Sequence, residues 1–284
     1  VIPVRAFISL DLEGLPHVVS REHLFVKGAL YAEARRIATE VVMAVARTLH
    51  DELGVDEVVV ADSHGPMVNI LVEEMPGYVK LTRGFPRPLS MVAGGKGADF
   101  AIFLGYHAKA GTAGATFDHT YSGATVDRLG VNGVEVSEAL LNAYLLGEWG
   151  VPVAMVAGDK ALIETDVKNH LPWAVGVPIK ESFGRYSAMS PGMDGVKELL
   201  RQGTIEAFRR LERGEVKPLK TKTPVEVKLR FLNSAHAEVA ELLPFVERVD
   251  GKTVRFEAKS VEEAYKTFEV LVFAAAGVTS IVNR

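Results

Sequence analysis

Three apolar runs in this chain pass without a break into side chains that can bind metals. Phe7-Ile8-Ser9-Leu10 leads to Asp11 and Glu13, Val58-Val59-Val60-Ala61 leads to Asp62-Ser63-His64, and Ala101-Ile102-Phe103-Leu104-Gly105-Tyr106 leads to His107. Between the first two runs lies Lys27 to Leu53. There Leu30, Ala34, Ile37, Val41, Val45 and Leu49 recur every three or four residues, and Gly54 stands where a left-handed helix cap belongs. Strand, amphipathic helix and strand in direct succession form a βαβ unit, whose crossover is right-handed. The pattern predicts an α/β fold, an open and mostly parallel sheet with flanking helices of Rossmann-like type. In such sheets ligands gather outside the carboxyl ends of the strands, so residues far apart in sequence converge on one crevice.

The rest of the chain extends this plan. Residues 108–134 are rich in Gly, Thr and Ala with no sustained period, which predicts a long functional loop containing a short hairpin. Ser137 can cap a helix from Glu138 to Trp149, and Val151 to Ala157 reads as a fourth buried strand ending at Gly158-Asp159. A further helix spans Gly192 to Arg213. The Lys/Thr/Pro-rich stretch Pro218 to Pro224 then marks a boundary between a catalytic α/β domain, 1–217, and a small α+β domain, 218–284. In that second module a strand at Val225–Phe231, a short helix at Ala235–Leu243, a strand at Val254–Phe256 and a helix at Val261–Ala276 are expected.

Composition narrows the chemistry. The 284 residues are 48% hydrophobic and 24% charged, enough for a substantial core. A formal net charge of −4 with scattered Lys and Arg gives no footprint for nucleic acid, and no run approaches the roughly 18 apolar residues of a membrane span. The first residues read as a strand broken by Pro3 and not as a secretory leader, so a cytoplasmic location is expected. With no cysteine, thiolate nucleophiles and Cys-type zinc sites are excluded. Any metal must be held by His, Asp and Glu, a ligand set suited to divalent transition ions. Gly-x-x-x-x-Gly-Lys-Ser/Thr and Gly-x-Ser-x-Gly are both missing, which demotes nucleotide-driven and serine-hydrolase chemistry.

Asp11 and Glu13, two apart on a strand, point to one side. Asp62 either caps the next turn or orients His64. His107 ends the third strand, and His119, in the loop beyond it, is a third imidazole ligand or a proton-transfer residue. Glu138 either complements the helix dipole or joins the site, with Glu135 as its rival, and Asp159 also points toward the crevice. Taken together, these residues indicate a metalloenzyme.

Ser9-Leu10-Asp11-Leu12-Glu13-Gly14, Asp62-Ser63-His64, Leu104-Gly105-Tyr106-His107-Ala108, Glu138 followed by Leu141-Asn142-Ala143-Tyr144, and Val156-Ala157-Gly158-Asp159 occur in this order. In these motifs, and in Phe256-Glu257-Ala258-Lys259 near the end, the chain resembles the M55 peptidases, zinc-dependent D-aminopeptidases. The resemblance implies two zinc ions per subunit held at Asp11, Glu13, His64, His107 and Glu138, which favours Glu138 over Glu135. It also implies catalysis by His119, a short peptide or amino-acid amide substrate, and a homo-oligomer, a decamer of two stacked rings. The expected function is metal-assisted release of amino-terminal D-residues. The rivals are a dimetal phosphoesterase or other amidase, which use the same ligands, and a non-catalytic peptide-binding protein.

Overall fold

The computed structural model describes residues 4–73 and 75–283. Its centre is β1 (Arg5–Leu10), flanked in parallel by β2 (Glu57–Asp62) and β4 (Phe100–Tyr106). Leu10 lies opposite both Asp62 and Leu104, so β1 and β2 end level and β4 runs two residues further. With β3 (Val79–Thr82), β7 (Val153–Asp159), β8 (Val175–Gly184) and β9 (Ser187–Met189) they form a seven-stranded sheet in the order β3-β2-β1-β4-β7-β8-β9. All neighbours are parallel except β9, which returns as a hairpin against β8.

Both faces of this sheet are covered, which is why its central strands are apolar throughout. Ile8, Val60 and Ile102 face α1 (Tyr31–Arg47), whose stripe of Ala34, Ile37, Val41 and Val45 is buried against them. α3 (Met193–Glu212) packs beside α1 through Val196, Leu200 and Ala207. On the opposite face Phe7, Val59 and Phe103 join Leu140, Leu141 and Leu145 of α2 (Glu138–Glu148). The helix expected from Lys27 starts instead at Tyr31. A Cβ on Gly28 would lie 2.0 Å from the Glu22 carbonyl oxygen, and that close turn delays the helix.

A second, antiparallel sheet has the order β11-β12-β10-β5-β6, from β5 (Val126–Val131), β6 (Val134–Glu135), β10 (Val225–Phe231), β11 (Glu247–Arg248) and β12 (Thr253–Ala258). The expected short hairpin of the 108–134 loop is therefore the β5–β6 edge of this sheet, which takes strands from both sides of residue 217. α4 (Ser234–Ala240) and α5 (Val261–Val282) cover it. α5 has the length and mean hydropathy, 1.4, of a membrane span, yet Ala264, Tyr265, Phe268, Leu271 and Ala275 are buried within the protein. It is the only such helix among the described residues.

Candidate metal centre

The segment after β1 folds directly over the end of β4. Asp11 N–H donates to the Leu104 carbonyl at 2.9 Å and Gly14 N–H to that of Gly105 at 2.7 Å. Two glycines allow this approach. A Cβ on Gly14 would meet the Tyr106 carbonyl oxygen at 1.9 Å, and Gly105, at φ +70°, has its Cβ position 2.0 Å from the Asp11 carbonyl oxygen. Asp11, Glu13, His64 and His107 consequently project from three adjacent strand ends into one crevice. Glu138 enters from the first turn of α2, whose Ser137 hydroxyl accepts the Leu140 N–H, and His119 enters from the loop after β4.

These six side chains form a closed ring in which acids and imidazoles alternate. His64 Nδ1 lies 2.9 Å from Glu13 and 3.3 Å from Asp11. His107 Nε2 lies 3.3 Å from Asp11 and 3.4 Å from Glu138, while His119 Nε2 lies 3.5 Å from Glu138 and 3.9 Å from Glu13. The His107 and His119 rings stack at 4.4 Å. Each imidazole has its other nitrogen against a backbone carbonyl: His64 on Leu24 at 3.0 Å, His107 on Ala108 at 3.0 Å and His119 on Phe117 at 2.7 Å. With that nitrogen donating, the inward nitrogen carries a lone pair, the arrangement by which outer hydrogen bonds orient metal-binding histidines.

Lone pairs facing carboxylates repel unless a cation lies between them. Asp11 Oδ2 and His107 Nε2 are buried with no hydrogen-bond partner among the described residues. Two sets of ligand atoms lie close enough to hold an ion, His107–His119–Glu138 and Asp11–Glu13–His107, and they share His107. Without metal, protons fill the role. Burial alone would push the His64 and His107 imidazoles down, but Glu13 and Asp11 around the first and Glu138 and Asp11 around the second hold both well above the ordinary imidazole value. Burial likewise opposes ionisation of Glu13 and Glu138, yet His64 and His107 respectively bring them below the usual carboxylate range. Asp11 goes the other way, raised by burial and by the charge of Glu13.

Asp62 stays outside the ring. Its oxygens accept the Asn69 and Ile70 N–H groups at 2.6 and 2.8 Å, so it caps the following turn. Asp159 accepts from Ala161 N–H, Thr116 N–H and the Ser182 hydroxyl, and Glu135 lies exposed on β6. Three contributors gave no sequence signal. Lys180 on β8, 1% exposed, donates to the carbonyls of Glu13 and Val18 and so fixes the backbone behind Glu13. Tyr121 N–H donates to Glu138 at 2.7 Å, and its hydroxyl joins a buried chain through Asn142 to Tyr106 and Ser9. Glu269 of α5 forms part of the cavity wall.

Two cavities meet at the ring. One, about 210 Å³, is bounded by Met67, Phe85, Met91, Glu269 and Phe273 as well as by Asp11, His64 and Glu138. The other, about 520 Å³, is bounded by Arg21, Phe25, Phe117, Arg185 and Tyr186. Glu13 and His119 are the two residues that line both.

Residues 4–270 match the family model of the M55 peptidases, described as D-aminopeptidase. The chain is 33% identical over 276 residues to a D-aminopeptidase of Bacillus subtilis (strain 168), covering 94% of this chain and 96% of that one. Among solved structures it is similar to the Zn-dependent D-aminopeptidase DppA from Bacillus subtilis, described as a self-compartmentalizing protease. The TM-score is 0.91 at 30% identity, covering 96% of this chain and 98% of that one.

Proposed function

The chain belongs to the M55 family of D-aminopeptidases and is a metal-dependent aminopeptidase; from that premise we propose that it holds two zinc ions in its acid–imidazole ring and releases amino-terminal D-residues from short peptides or amino-acid amides. Asp11, Glu13, His64, His107 and Glu138 are the metal ligands in this reading, and His119 is the catalytic group. The observation that carries it is the ring itself, in which three inward imidazole nitrogens each face two buried carboxylates. The five ligands exceed the four positions of a tetrahedral zinc, which supports a pair of ions over one.

Bound there, zinc supplies Lewis acidity, polarising the scissile carbonyl and making water nucleophilic near neutral pH. The protein does the rest. His119 Nε2 stands where the two cavities meet, and its hydrogen bond to Phe117 O fixes the ring plane, so it can deliver a proton to the leaving amine. Lys180 and Tyr121 N–H keep Glu13 and Glu138 from drifting as the ring changes charge.

The zinc dependence and self-compartmentalizing character of the Bacillus protein support zinc and a homo-oligomer for this chain, and the decamer is what the family resemblance implies. Exposed apolar side chains on α5, among them Val270, Phe273 and Ile281, agree with subunit contacts. The phosphoesterase reading is less favoured: no Lys or Arg borders the 210 Å³ cavity among the described residues, and of the two arginines at the larger cavity Arg185 is paired with Asp118 and Arg21 lies over the Phe25 ring. Lys109 is paired with Asp166 at 2.7 Å, and Arg128 lines a cavity elsewhere.

The test is metal analysis of protein purified without chelator, together with paired D- and L-aminoacyl amides. Up to two zinc ions per chain and faster release of D-alanine than L-alanine are expected. Equal activity with and without chelator, or cleavage of phosphate esters but no amides, would overturn the proposal.

A further inference from the structure

Glu269 is an acid in an unusual position. It sits on the buried side of α5, 9% exposed, in the wall of the 210 Å³ cavity, one helical turn from Val272 and Phe273, which line the same cavity. No Lys, Arg or His nitrogen lies within 4 Å of it among the described residues, although two cations are near. Arg87 is turned away, donating to the carbonyls of Ser90 and Thr82 at 2.9 and 3.2 Å, and Lys266 is paired with Glu262 at 2.7 Å. The groups that face Glu269 are Leu89 N–H, the Ser90 hydroxyl, Tyr265, Arg87 and Lys266. Burial outweighs what these donors and cations offer and raises the carboxyl to about 7. A buried carboxylate without a counter-ion gains most when a cation arrives from solution.

The surroundings say what kind of cation fits. Met67, Phe85, Met91, Val272 and Phe273 give the wall an apolar part, with the Phe85 and Phe273 rings edge to face at 5.6 Å, beside the hydroxyl-bearing Ser63, Ser90 and Tyr121. The opening suits a small apolar body carrying one positive charge. The metal ring lines the same cavity, and the larger cavity beyond Glu13 and His119 is edged by Arg21 and by Arg185, which is paired with Asp118, so Arg21 is the cation that this second cavity offers a substrate.

We propose that Glu269 is a specificity-determining residue that binds the free α-ammonium group of the substrate, seating the amino-terminal residue in the smaller cavity while the chain beyond the scissile bond lies toward Arg21 in the larger one. This rests on the aminopeptidase reading and deepens it, because it names the group that makes a free amino terminus necessary and sets the direction in which the peptide lies.

The test uses the metal-loaded wild type, Glu269→Gln and Glu269→Asp. With D-alaninamide, Glu269→Gln should raise KM roughly ten- to hundredfold, the size of a lost hydrogen bond between charged groups, and leave kcat within about threefold. Glu269→Asp should recover part of the loss. Calorimetric titration with D-alaninol, which cannot be cleaved, should show wild type binding it and discriminating against N-acetyl-D-alaninol, a preference that Glu269→Gln loses. Unchanged KM and unchanged D-alaninol affinity in a folded Glu269→Gln protein of normal metal content overturn the proposal, as does a loss confined to kcat. Should wild type cleave no aminoacyl amide, the aminopeptidase reading fails separately, and the D-alaninol titration still decides the role of Glu269.

Discussion

Glu269→Gln should also make the protein more stable, and only above a certain pH. In the unfolded chain this carboxyl ionises near 4.5, whereas in the folded protein it ionises at about 7. A raised acid stabilises the fold relative to its ionised state only while it is protonated, so its contribution is intact below pH 4.5 and is lost as pH rises through about 7. Above that, ionisation costs the native state at most about 3 kcal/mol. Partial solvation through the cavity mouth and the one hydrogen bond that Gln can still accept reduce the difference to roughly 1–2 kcal/mol. For a chain of this size each kcal/mol moves Tm by about 2–4 °C, so the variant should melt several degrees above wild type at pH 8 and level with it at pH 5. Calorimetric melting of both proteins across that range, at matched metal content, is the assay. A variant less stable than wild type at pH 8, or a difference that does not change with pH, would refute the idea that Glu269 is buried as an unpaired acid. The expected result is the familiar exchange of stability for a binding group.

His119→Ala should keep near-normal metal content and fold yet lose roughly two to four orders of magnitude in turnover, whereas His107→Ala should lose metal and activity together; if His119→Ala also loses its metal, His119 is a ligand. Gly105→Ala should cost about 2–4 kcal/mol and weaken metal retention, because a side chain there collides with the Asp11 carbonyl at a left-handed backbone position; unchanged Tm and metal content count against that account. Chelator-stripped protein should be most stable at pH values above those where Glu13 and Glu138 ionise and below those where His64 and His107 lose their protons. Stability falls on either side, with the lowered acids lost on the acid flank and the raised imidazoles on the alkaline one. Zinc should restore the alkaline flank, and a stripped protein whose stability keeps rising through the alkaline range contradicts the ring as described.

The parts of the site that sequence could show are those fixed by regular structure. Asp11, Glu13, His64 and His107 follow three buried strands whose parallel pairing aligns their ends, so apolar patterning alone brings them together. Glu138 is one step harder, since a carboxylate in a helix first turn has an ordinary electrostatic reason to be there. β8 and β9 escaped because their residues are half exposed and broken by Pro178, and with them went Lys180, whose buried position depends on a strand that had no pattern. Glu269 was illegible for a different reason. Its helix was expected to run to Ala276, and nothing in its spacing says that one turn of it closes a cavity built by a sheet more than a hundred residues earlier.

The ring also explains why His119 is the member whose role differs from its neighbours. Five of the six groups are carried by strand ends or a helix start, elements held by the core on both sides. His119 is carried by a loop and is oriented by one carbonyl two residues away, yet it completes the ring by standing between Glu138 and Glu13. A group so placed can take a proton from the ring side and present it to either cavity without dismantling the metal-binding acids, which remain bridged through His64 and His107. That separation of holding from moving follows from where the chain is rigid, and it is why loss of His119 and loss of His107 should read so differently in metal content.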